Sequence, residues 1–466
     1  MAAPLVCDPD PVSGRDLPFA TMGGMSGQSS DITANLIKRD SAAVWHPFTQ
    51  QSLWAEDDPI VVDRAEGMYF WDTDGNRYLD GVSSLWVNVH GHRVPEIDDA
   101  IKRQLDRLDH TTFLGLTHAP GIELAERLID TAPMGLTRVF YAGDGSSAVE
   151  AALKMAYQAH IQRGEQRPLY LHIAEGYHGD TLGSVSVGGI DLFHDKYRPL
   201  LLSTQMVSSP GLLEPGQTRA ERATAVIAEL REKLAEHGDQ ISALVIEPMV
   251  QGAGGMLTHD VSFVRGAREL CDEFGVLLIC DEVATGIGRT GKMWAVEHAG
   301  IRPDMITCGK GVTGGYLPLS AVLVAEPVYD AFLGSATSGR TFYHGHSYTA
   351  NPLSCAAAIA NLDLMAQRNT VAHAAAVGEQ LAKQLAPLLT VPGVREIRQI
   401  GTMTGIEVDP VTERTGFAIC QHARRNGVWV RPLGDVVVLM PPLAIEEADL
   451  NLLTTTVTDA ITTVLA

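Results

Sequence analysis

The feature that most constrains the fold is an alternation of short apolar segments and longer amphipathic segments between residues 95 and 325. The apolar segments have the length of buried strands, and the segments between them have helical spacing. The pattern predicts helices at 96–108, 120–132, 145–162, 218–236 and 262–274, and strands at 138–142, 169–173, 243–247, 276–280, 305–308 and 320–324. Such alternation predicts an α/β fold, with a mainly parallel sheet covered by helices on both faces.

The two ends of the chain do not continue this alternation. Residues 351–466 predict an α+β arrangement, with helices at 352–366, 370–388, 415–426 and 447–465 and strands at 394–400, 403–408, 428–431 and 436–440. Residues 31–94 predict a short helix and then short antiparallel strands, which are separated by turns at Glu66-Gly67 and Asp74-Gly75.

The length of the chain predicts more than one domain, because 466 residues exceed the size at which a single core stops growing. Residues 1–30 are rich in Pro, Gly, Ser and Asp and predict a disordered, mobile extension. We expect residues 31–94 to pack with a small domain formed by residues 351–466. Residues 95–350 would form the large domain.

Composition limits the classes of partner. The formal net charge of −21 argues against nucleic acids and anionic membranes, which are polyanions, so small-molecule substrates are expected. Six cysteines occur without a CxxC pair, which suits a reducing compartment. No stretch has the eighteen or more apolar residues of a membrane helix, and no basic, apolar leader opens the chain. We expect a soluble, cytoplasmic protein.

Two polar residues stand at the ends of apolar segments. Asp281 follows Val276–Cys280, and Lys310 lies in a glycine-rich loop directly after Ile306–Cys308. Ligands of open α/β sheets bind at the carboxyl ends of strands. Pyridoxal phosphate (PLP) needs an amine that holds it as an imine and a carboxylate that keeps its pyridine nitrogen protonated. The pair predicts a PLP site; a capping Asp and a solvated loop Lys are the alternative interpretation.

Two further segments supply groups that suit such a cofactor. Ala142–Ser147 joins a strand to a helix N-terminus, where backbone N–H groups bind phosphate, although an ordinary N-cap turn has similar composition. Glu175–Thr181 follows another strand, so that Tyr177 can stack on a pyridine ring while Asp180 faces the same pocket. A packed tyrosine in a turn is the alternative.

The segment Thr341–Pro352 carries polar donors just before a helix. His344 and His346 alternate as on a strand and suggest a metal site. No Asp, Glu or Cys nearby completes a coordination set, so we predict no metal site.

Together, these segments resemble those of a known family. Asp281–Gly291 (DEVATGIGRTG), Gly309–Tyr316 (GKGVTGGY) and His344–Pro352 (HGHSYTANP) are similar to class III, fold-type I PLP-dependent aminotransferases, and the resemblance covers about residues 40–465. Further segments resemble the branch of that class that converts 8-amino-7-oxononanoate to 7,8-diaminononanoate in biotin synthesis. They are Trp45–Phe48, Ser83–Trp86, Val89–His92, Tyr177–Asp180, Val250–Met256 and Arg431–Leu433.

The resemblance implies a role for each matching residue. Lys310 would hold PLP and move the proton, Asp281 would pair with the pyridine nitrogen, and Tyr177 would stack on the ring. Phosphate would be bound by Gly145 and Ser146 and, from a second copy of the chain, by His346 and Ser347; the substrate-binding residues would be Phe48, Leu85, Trp86, Asp180, Gly345 and Arg431. The resemblance therefore also implies a homodimer with shared active sites.

Three positions depart from the pattern of this branch. Leu85 stands where many members have the first of two tryptophans, and Gly143–Ser146 reads Gly-Asp-Gly-Ser where Asp-Ser-Gly-Ser is usual. Phe48 stands where members that use S-adenosylmethionine carry Tyr, and Phe at this position resembles the branch that uses lysine. The amino donor is therefore S-adenosylmethionine or L-lysine.

The resemblance thus implies a PLP-dependent aminotransferase of 8-amino-7-oxononanoate. One alternative is another class III transaminase, of the ω-amino acid type, against which Trp45–Phe48 and Tyr177–Asp180 count. A second is a non-catalytic PLP-binding protein, against which the presence of both Lys310 and Asp281 counts.

Overall fold

The computed structural model describes residues 28–466. The chain divides into two compact units: one comprises residues up to Asp63 together with Trp71–Asn76, and the other comprises Arg64–Phe70 and Arg77–Ala466. Of the extension predicted at residues 1–30, residues 1–27 lie outside the described residues, and residues 28–30 begin the first helix.

Within the described residues, the helices and strands are as follows. The α-helices are α1 Gln28–Ala43, α2 Ser83–Trp86, α3 Pro95–Leu105, α4 Ala119–Thr131, α5 Gly145–Gln162, α6 Leu182–Ser186, α7 Asp191–His194, α8 Arg219–His237, α9 Val261–Phe274, α10 Val296–Ala299, α11 Glu326–Asp330, α12 Pro352–Gln367, α13 Thr370–Leu385, α14 Thr415–Arg425 and α15 Glu447–Leu465. The strands are β1 Val62–Glu66, β2 Tyr69–Asp72, β3 Arg77–Asp80, β4 Leu136–Ala142, β5 Leu169–Ile173, β6 Thr204–Val207, β7 Ile241–Ile246, β8 Val250–Gln251, β9 Leu257–Thr258, β10 Leu277–Asp281, β11 Met305–Cys308, β12 Ser320–Ala325, β13 Val394–Ile400, β14 Met403–Val408, β15 Val428–Trp429, β16 Arg431–Leu433 and β17 Val436–Leu439. Three 3-10 helices lie at Arg198–Leu200, Lys310–Thr313 and Ala386–Thr390.

A seven-stranded sheet forms the centre of the larger unit, with strand order β4-β12-β11-β10-β7-β5-β6. Neighbouring strands from β11 to β6 are parallel, whereas β12 is antiparallel to both β11 and β4. The predicted α/β fold with a mainly parallel sheet is confirmed, and it is the fold-type I arrangement.

Side chains of the central strands alternate between two apolar clusters on opposite faces of the sheet. In β10, Leu278 and Cys280 belong to one cluster, and Leu277 and Ile279 belong to the other. Both faces of a parallel sheet are covered by helices, so its strands are continuously apolar. On one face α5 packs small alanines such as Ala152 against the sheet, which lets the helix approach closely.

Several short helices and strands have no hydrophobic pattern in the sequence from which they could be predicted. The edge strand β6 reads Thr-Gln-Met-Val, and only Val207 is buried, so no apolar run marks it. The short helices α6 and α7 and the hairpin β8–β9 are also absent from the sequence prediction, because two to five residues are too few to show a period.

The C-terminal residues form a second sheet, with strand order β13-β14-β17-β16 and antiparallel pairing. The strand predicted at 428–431 divides into β15 and β16. β15 leaves this sheet and pairs in parallel with β3, matching Val428 to Leu79 and Trp429 to Asp80. This parallel pairing corrects the prediction of a purely antiparallel N-terminal sheet.

In the smaller unit, one carboxylate organises the segment around Trp45–Phe48. Asp40 Oδ2 accepts hydrogen bonds from His46 Nε2 at 2.8 Å and Trp54 Nε1 at 2.6 Å, and the two rings stack at 3.9 Å. None of the helices within residues 28–466 is long and apolar enough to cross a membrane.

Candidate active site

A cavity of about 500 Å³ lies at the carboxyl edge of the seven-stranded sheet. Four adjacent parallel strands supply its polar groups: Lys310 follows β11, Asp281 ends β10, Glu247 follows β7, and Tyr177 follows β5. Carboxyl ends of parallel strands meet at one edge, which is why residues far apart in sequence line one cavity.

Seven of the thirteen predicted site residues line this cavity: Trp86, Gly145, Ser146, Tyr177, Asp180, Asp281 and Lys310. The other six do not line it. Gly345–Ser347 is in the segment before α12, Arg431 is exposed at the start of β16, and Leu85 is half-exposed beside Trp86. Phe48 belongs to the smaller unit, where its ring is 64% exposed and its φ is 51°.

Asp281 is buried, and its carboxylate is fixed by three donors. The Val283 N–H and the Thr307 hydroxyl each donate to Oδ1 at 3.0 Å, and His178 Nδ1 lies 2.8 Å from Oδ2. Burial opposes a charge on His178, but the hydrogen bond and charge of Asp281 outweigh it, so the pKa of His178 is raised. The His178 imidazole thus fixes the position of the Asp281 carboxylate at the floor of the cavity.

Lys310 presents its amine to the same cavity. Its Nζ lies 5.0 Å from the centre of the Trp86 ring, within the range of a cation–π contact. Burial lowers the pKa of Lys310, against the opposing effect of the negative charges of Asp281 and Glu247. The backbone φ of Lys310 is 44°, a conformation that non-glycine residues adopt at a cost and that is concentrated at functional sites.

Glu247 lines the cavity although the sequence interpretation did not place it in the site. Its oxygens accept hydrogen bonds from the N–H of Tyr177 at 3.0 Å and of Gly252 at 2.9 Å. Burial raises the pKa of Glu247 to about 7, and the nearby Asp281 also raises it, while His178 lowers it. A charged residue at the end of a buried strand is the signal that could have identified it.

Tyr177 and Asp180 are joined in the cavity wall, since the Tyr177 hydroxyl donates to Asp180 Oδ2 at 2.8 Å. Burial and this hydrogen bond raise the pKa of Tyr177. The ring packs edge-on against Phe193 with 5.8 Å between centroids, which orients the face of Tyr177.

The turn before α5 places the backbone of Asp144, Gly145 and Ser146 at the cavity. Asp144 caps the helix, because its Oδ1 accepts from the Ser147 N–H at 2.9 Å. Helix N-termini attract phosphate through their backbone N–H groups. A Cβ on Gly145 would lie 2.7 Å from Val283 Cγ1, and one on Gly179 would lie 2.3 Å from Ser146 Oγ, so neither position admits a side chain.

Residues Ser83–Trp86, which form α2, run in a left-handed turn without a glycine. Their φ values are 51°, 52°, 90° and 70° in order. A left-handed conformation costs roughly 1–2 kcal/mol per non-glycine residue. The turn delivers the buried indole of Trp86 to the cavity wall.

The residues around the cavity fit PLP. A buried carboxylate held in place by His178 suits a protonated pyridine nitrogen, and the Lys310 amine suits an imine. The aromatic rings of Tyr177 and Trp86 line the cavity, as suits a flat cofactor, and the N-terminus of α5 suits its phosphate.

Comparison with known proteins agrees with this arrangement. The family described as Aminotransferase class-III matches residues 52–461. The adenosylmethionine-8-amino-7-oxononanoate aminotransferase of Nitratidesulfovibrio vulgaris is 51% identical over 443 residues, covering 92% of this chain and 82% of the relative.

Solved structures match over nearly the whole chain. The adenosylmethionine-8-amino-7-oxononanoate aminotransferase of Methanocaldococcus jannaschii has a TM-score of 0.87 and 37% identity, covering 92% of this chain and 98% of that one. An (S)-enantioselective omega-transaminase from Thermomicrobium roseum has a TM-score of 0.88 and 33% identity, covering 93% and 99%. This chain therefore belongs to the class-III aminotransferases, and it is a PLP-dependent aminotransferase.

Proposed function

We propose that the protein transfers an amino group to 8-amino-7-oxononanoate and produces 7,8-diaminononanoate in biotin synthesis. The observation that carries this proposal is the 51% identity to a relative named for that reaction, extending over 92% of this chain. The second candidate is an omega-transaminase, which the Thermomicrobium roseum structure favours by its TM-score of 0.88.

The cavity residues suit the chemistry of amino transfer. When bound, PLP supplies an electron sink for the carbon that carries the amino group. Lys310 Nζ is the group to move the proton, because burial lowers its pKa and so favours the neutral amine that accepts one. Asp281 would pair with the pyridine nitrogen of the cofactor, and the rings of Tyr177 and Trp86, which line the cavity, would limit the access of water.

We further propose a homodimer in which His346 and Ser347 reach the phosphate site of the second copy. The segment Thr341–Asn351 supports this, because it exposes Tyr343 at 83% and Tyr348 at 65%. Large exposed aromatic groups beside a functional segment are typical of an interface. Gly345 lies in the same segment, and Arg431, exposed at the start of β16, is suited to a substrate carboxylate.

We also propose that the enzyme works in the cytoplasm. In the described part of the chain all five cysteines are free and buried, which fits a reducing compartment.

A substrate panel tests the function. We expect kcat/KM for 8-amino-7-oxononanoate to exceed that for ω-amino acid pairs by at least about 100-fold, the discrimination that polar recognition in a site supplies. The contrary outcome is turnover of an ω-amino acid with pyruvate as acceptor, together with no activity on 8-amino-7-oxononanoate. That result would favour the omega-transaminase assignment.

The amino donor is S-adenosylmethionine or L-lysine, and Phe48 directs the choice. Without a tyrosine hydroxyl, this position offers no hydrogen bond to a polar donor, so we predict that L-lysine matches or exceeds S-adenosylmethionine. Phe48→Tyr should shift the ratio of the two kcat/KM values toward S-adenosylmethionine. Strong wild-type activity with S-adenosylmethionine and none with lysine would contradict this prediction.

A further inference from the structure

Asp80 lies directly beneath the left-handed turn at Ser83–Trp86, and its side chain is fully buried. Its Oδ1 accepts from the Ser84 N–H at 2.9 Å, and its Oδ2 accepts from the Ser84 hydroxyl at 2.6 Å. His92 Nε2 lies 3.1 Å from Oδ2. A second contact holds the start of the turn, where the Ser83 hydroxyl donates to the Met440 carbonyl at 2.6 Å.

These contacts explain how a strained conformation persists. Four successive non-glycine residues with positive φ need surroundings that determine their backbone, because the isolated chain prefers right-handed or extended conformations. Asp80 binds both the backbone and the side chain of Ser84, in the middle of the turn. The position of Asp80 is itself fixed by β3, whose last residue pairs with Trp429 in β15.

The turn ends at Trp86, whose ring faces the amine of Lys310. The Trp86 ring lies 5.0 Å from Lys310 Nζ and also contacts the Gly252 region, where an added Cβ would lie 3.2 Å from Trp86 Cζ3. A change in the turn therefore moves the indole relative to Lys310. Asp80 does not line the cavity, so its effect on substrate passes through Trp86.

We propose that Asp80 is a positioning residue for the reaction: its hydrogen bonds to Ser84 hold the left-handed turn that sets the Trp86 indole over Lys310 and so shapes the wall for the acceptor chain. The part of this inference that concerns the acceptor rests on the proposed function. The placement of Trp86 against Lys310 does not depend on which substrate is turned over.

A double-mutant cycle tests the route through Trp86. Asp80→Ala should lower kcat/KM by about 10- to 100-fold, as expected when a group in an active site is displaced by about 1 Å. In a Trp86→Ala background the same change should cost less than about threefold, because coupled residues are not additive. Asp80→Asn should restore most of the activity, since an amide keeps an acceptor for the Ser84 N–H.

Asp72 provides the matched control. It is also a buried carboxylate that accepts turn N–H groups, from Asp74 at 3.0 Å and Asn76 at 2.8 Å, but it lies outside the cavity. Asp72→Ala should lower thermal stability and leave kcat/KM within about threefold of wild type. Ser84 is exposed, so Ser84→Ala should disturb folding less than Asp80→Ala, and it should reproduce part of the loss in kcat/KM.

A second readout needs no substrate. In cofactor-free protein, PLP and borohydride capture the Lys310 amine, and peptide mapping reports the pH at which capture is half-maximal. Asp80→Ala and Ser84→Ala should move this pH in the same direction as Trp86→Ala, and Asp72→Ala should not move it. Full additivity of Asp80→Ala with Trp86→Ala, or an unchanged capture profile in both Asp80→Ala and Ser84→Ala, would overturn the proposal. Failure of the wild type to use 8-amino-7-oxononanoate would instead overturn the proposed function.

Discussion

At the scale of single residues, two carboxyl groups line one cavity in different environments. Asp281 receives hydrogen bonds from Val283 and Thr307 and an imidazole contact from His178. Glu247 receives backbone N–H groups, but burial dominates and raises its pKa to about 7. Of the two, Asp281 is the one held by an imidazole, a contact that suits a carboxylate paired with the pyridine nitrogen of PLP.

Glu247 should make stability depend on pH. Its folded pKa is raised from 4.5 to about 7, so between these values the folded state keeps a proton that the unfolded state has released. Stability from this group is fully present below pH 4.5 and is lost as pH rises through about 7. Glu247→Gln cannot titrate there, so its stability relative to wild type should improve by about 3 kcal/mol between about pH 5 and about pH 8.

Urea unfolding of the cofactor-free protein at those two pH values measures this difference. An unchanged difference in the free energy of unfolding would show that Glu247 titrates at its ordinary pKa.

Asp281→Asn should weaken catalysis more than it weakens the fold. The amide keeps the shape of the side chain but lacks the negative charge of an ionised carboxylate. We therefore expect the transition state to lose several kcal/mol of stabilisation, which is measured as a lower kcat/KM. Asp304→Asn is the control, because Asp304 is a partly buried carboxylate at the opposite end of β11, where it accepts from the Leu278 N–H at 2.8 Å. A kcat/KM for Asp281→Asn within about threefold of wild type would contradict the role of Asp281.

At the scale of elements, the turn that leads into α5 requires glycine at particular positions, where a side chain would collide with its neighbours. Gly145 packs against Val283, which follows the end of β10, so the helix N-terminus and Asp281 are brought to one cavity by this close approach. Gly143, two residues earlier, has more room, since its added Cβ would lie 3.5 Å from His346 Nε2.

Gly145→Ala should therefore weaken PLP binding. Its Cβ would lie 2.7 Å from Val283 Cγ1, and overpacking of this kind costs the fold about 1–3 kcal/mol. Relief of the overlap moves the phosphate-binding turn, so we expect the affinity for PLP to fall at least about fivefold. Gly143→Ala should change the dissociation constant by less than about threefold, because its new contact is an ordinary van der Waals distance. Equilibrium titration of the cofactor-free variants compares the two, and equal effects would count against the close packing of Gly145.

At the scale of the whole molecule, the sequence predicts the scaffold well. The bounds of α5, β5 and β11 agree with the structure at both ends, because each is delimited by strong local signals such as the capping Asp144 before α5. Asp281 and Lys310 stand out in the sequence because each follows an apolar run, and both line the cavity. The family comparison confirms the prediction of a PLP-dependent class III aminotransferase.

The missed features depend on contacts between distant residues. The left-handed turn at Ser83–Trp86 contains no glycine, and one of its anchors, Met440, is 357 positions from Ser83. Glu247 was assigned to the end of a strand, although its place between Tyr177 and Gly252 gives it a cavity position. Contacts of this kind leave no local periodicity to detect.

The identity of the lysine that binds PLP decides whether this cavity is the active site. Borohydride reduction of the PLP-loaded protein, followed by peptide mass mapping, locates the labelled lysine. We predict one label per chain at Lys310, and none there in Lys310→Ala, which should also lack aminotransferase activity. A label on another lysine, such as the exposed Lys154, with Lys310 unmodified, would contradict the assignment of this cavity as the active site.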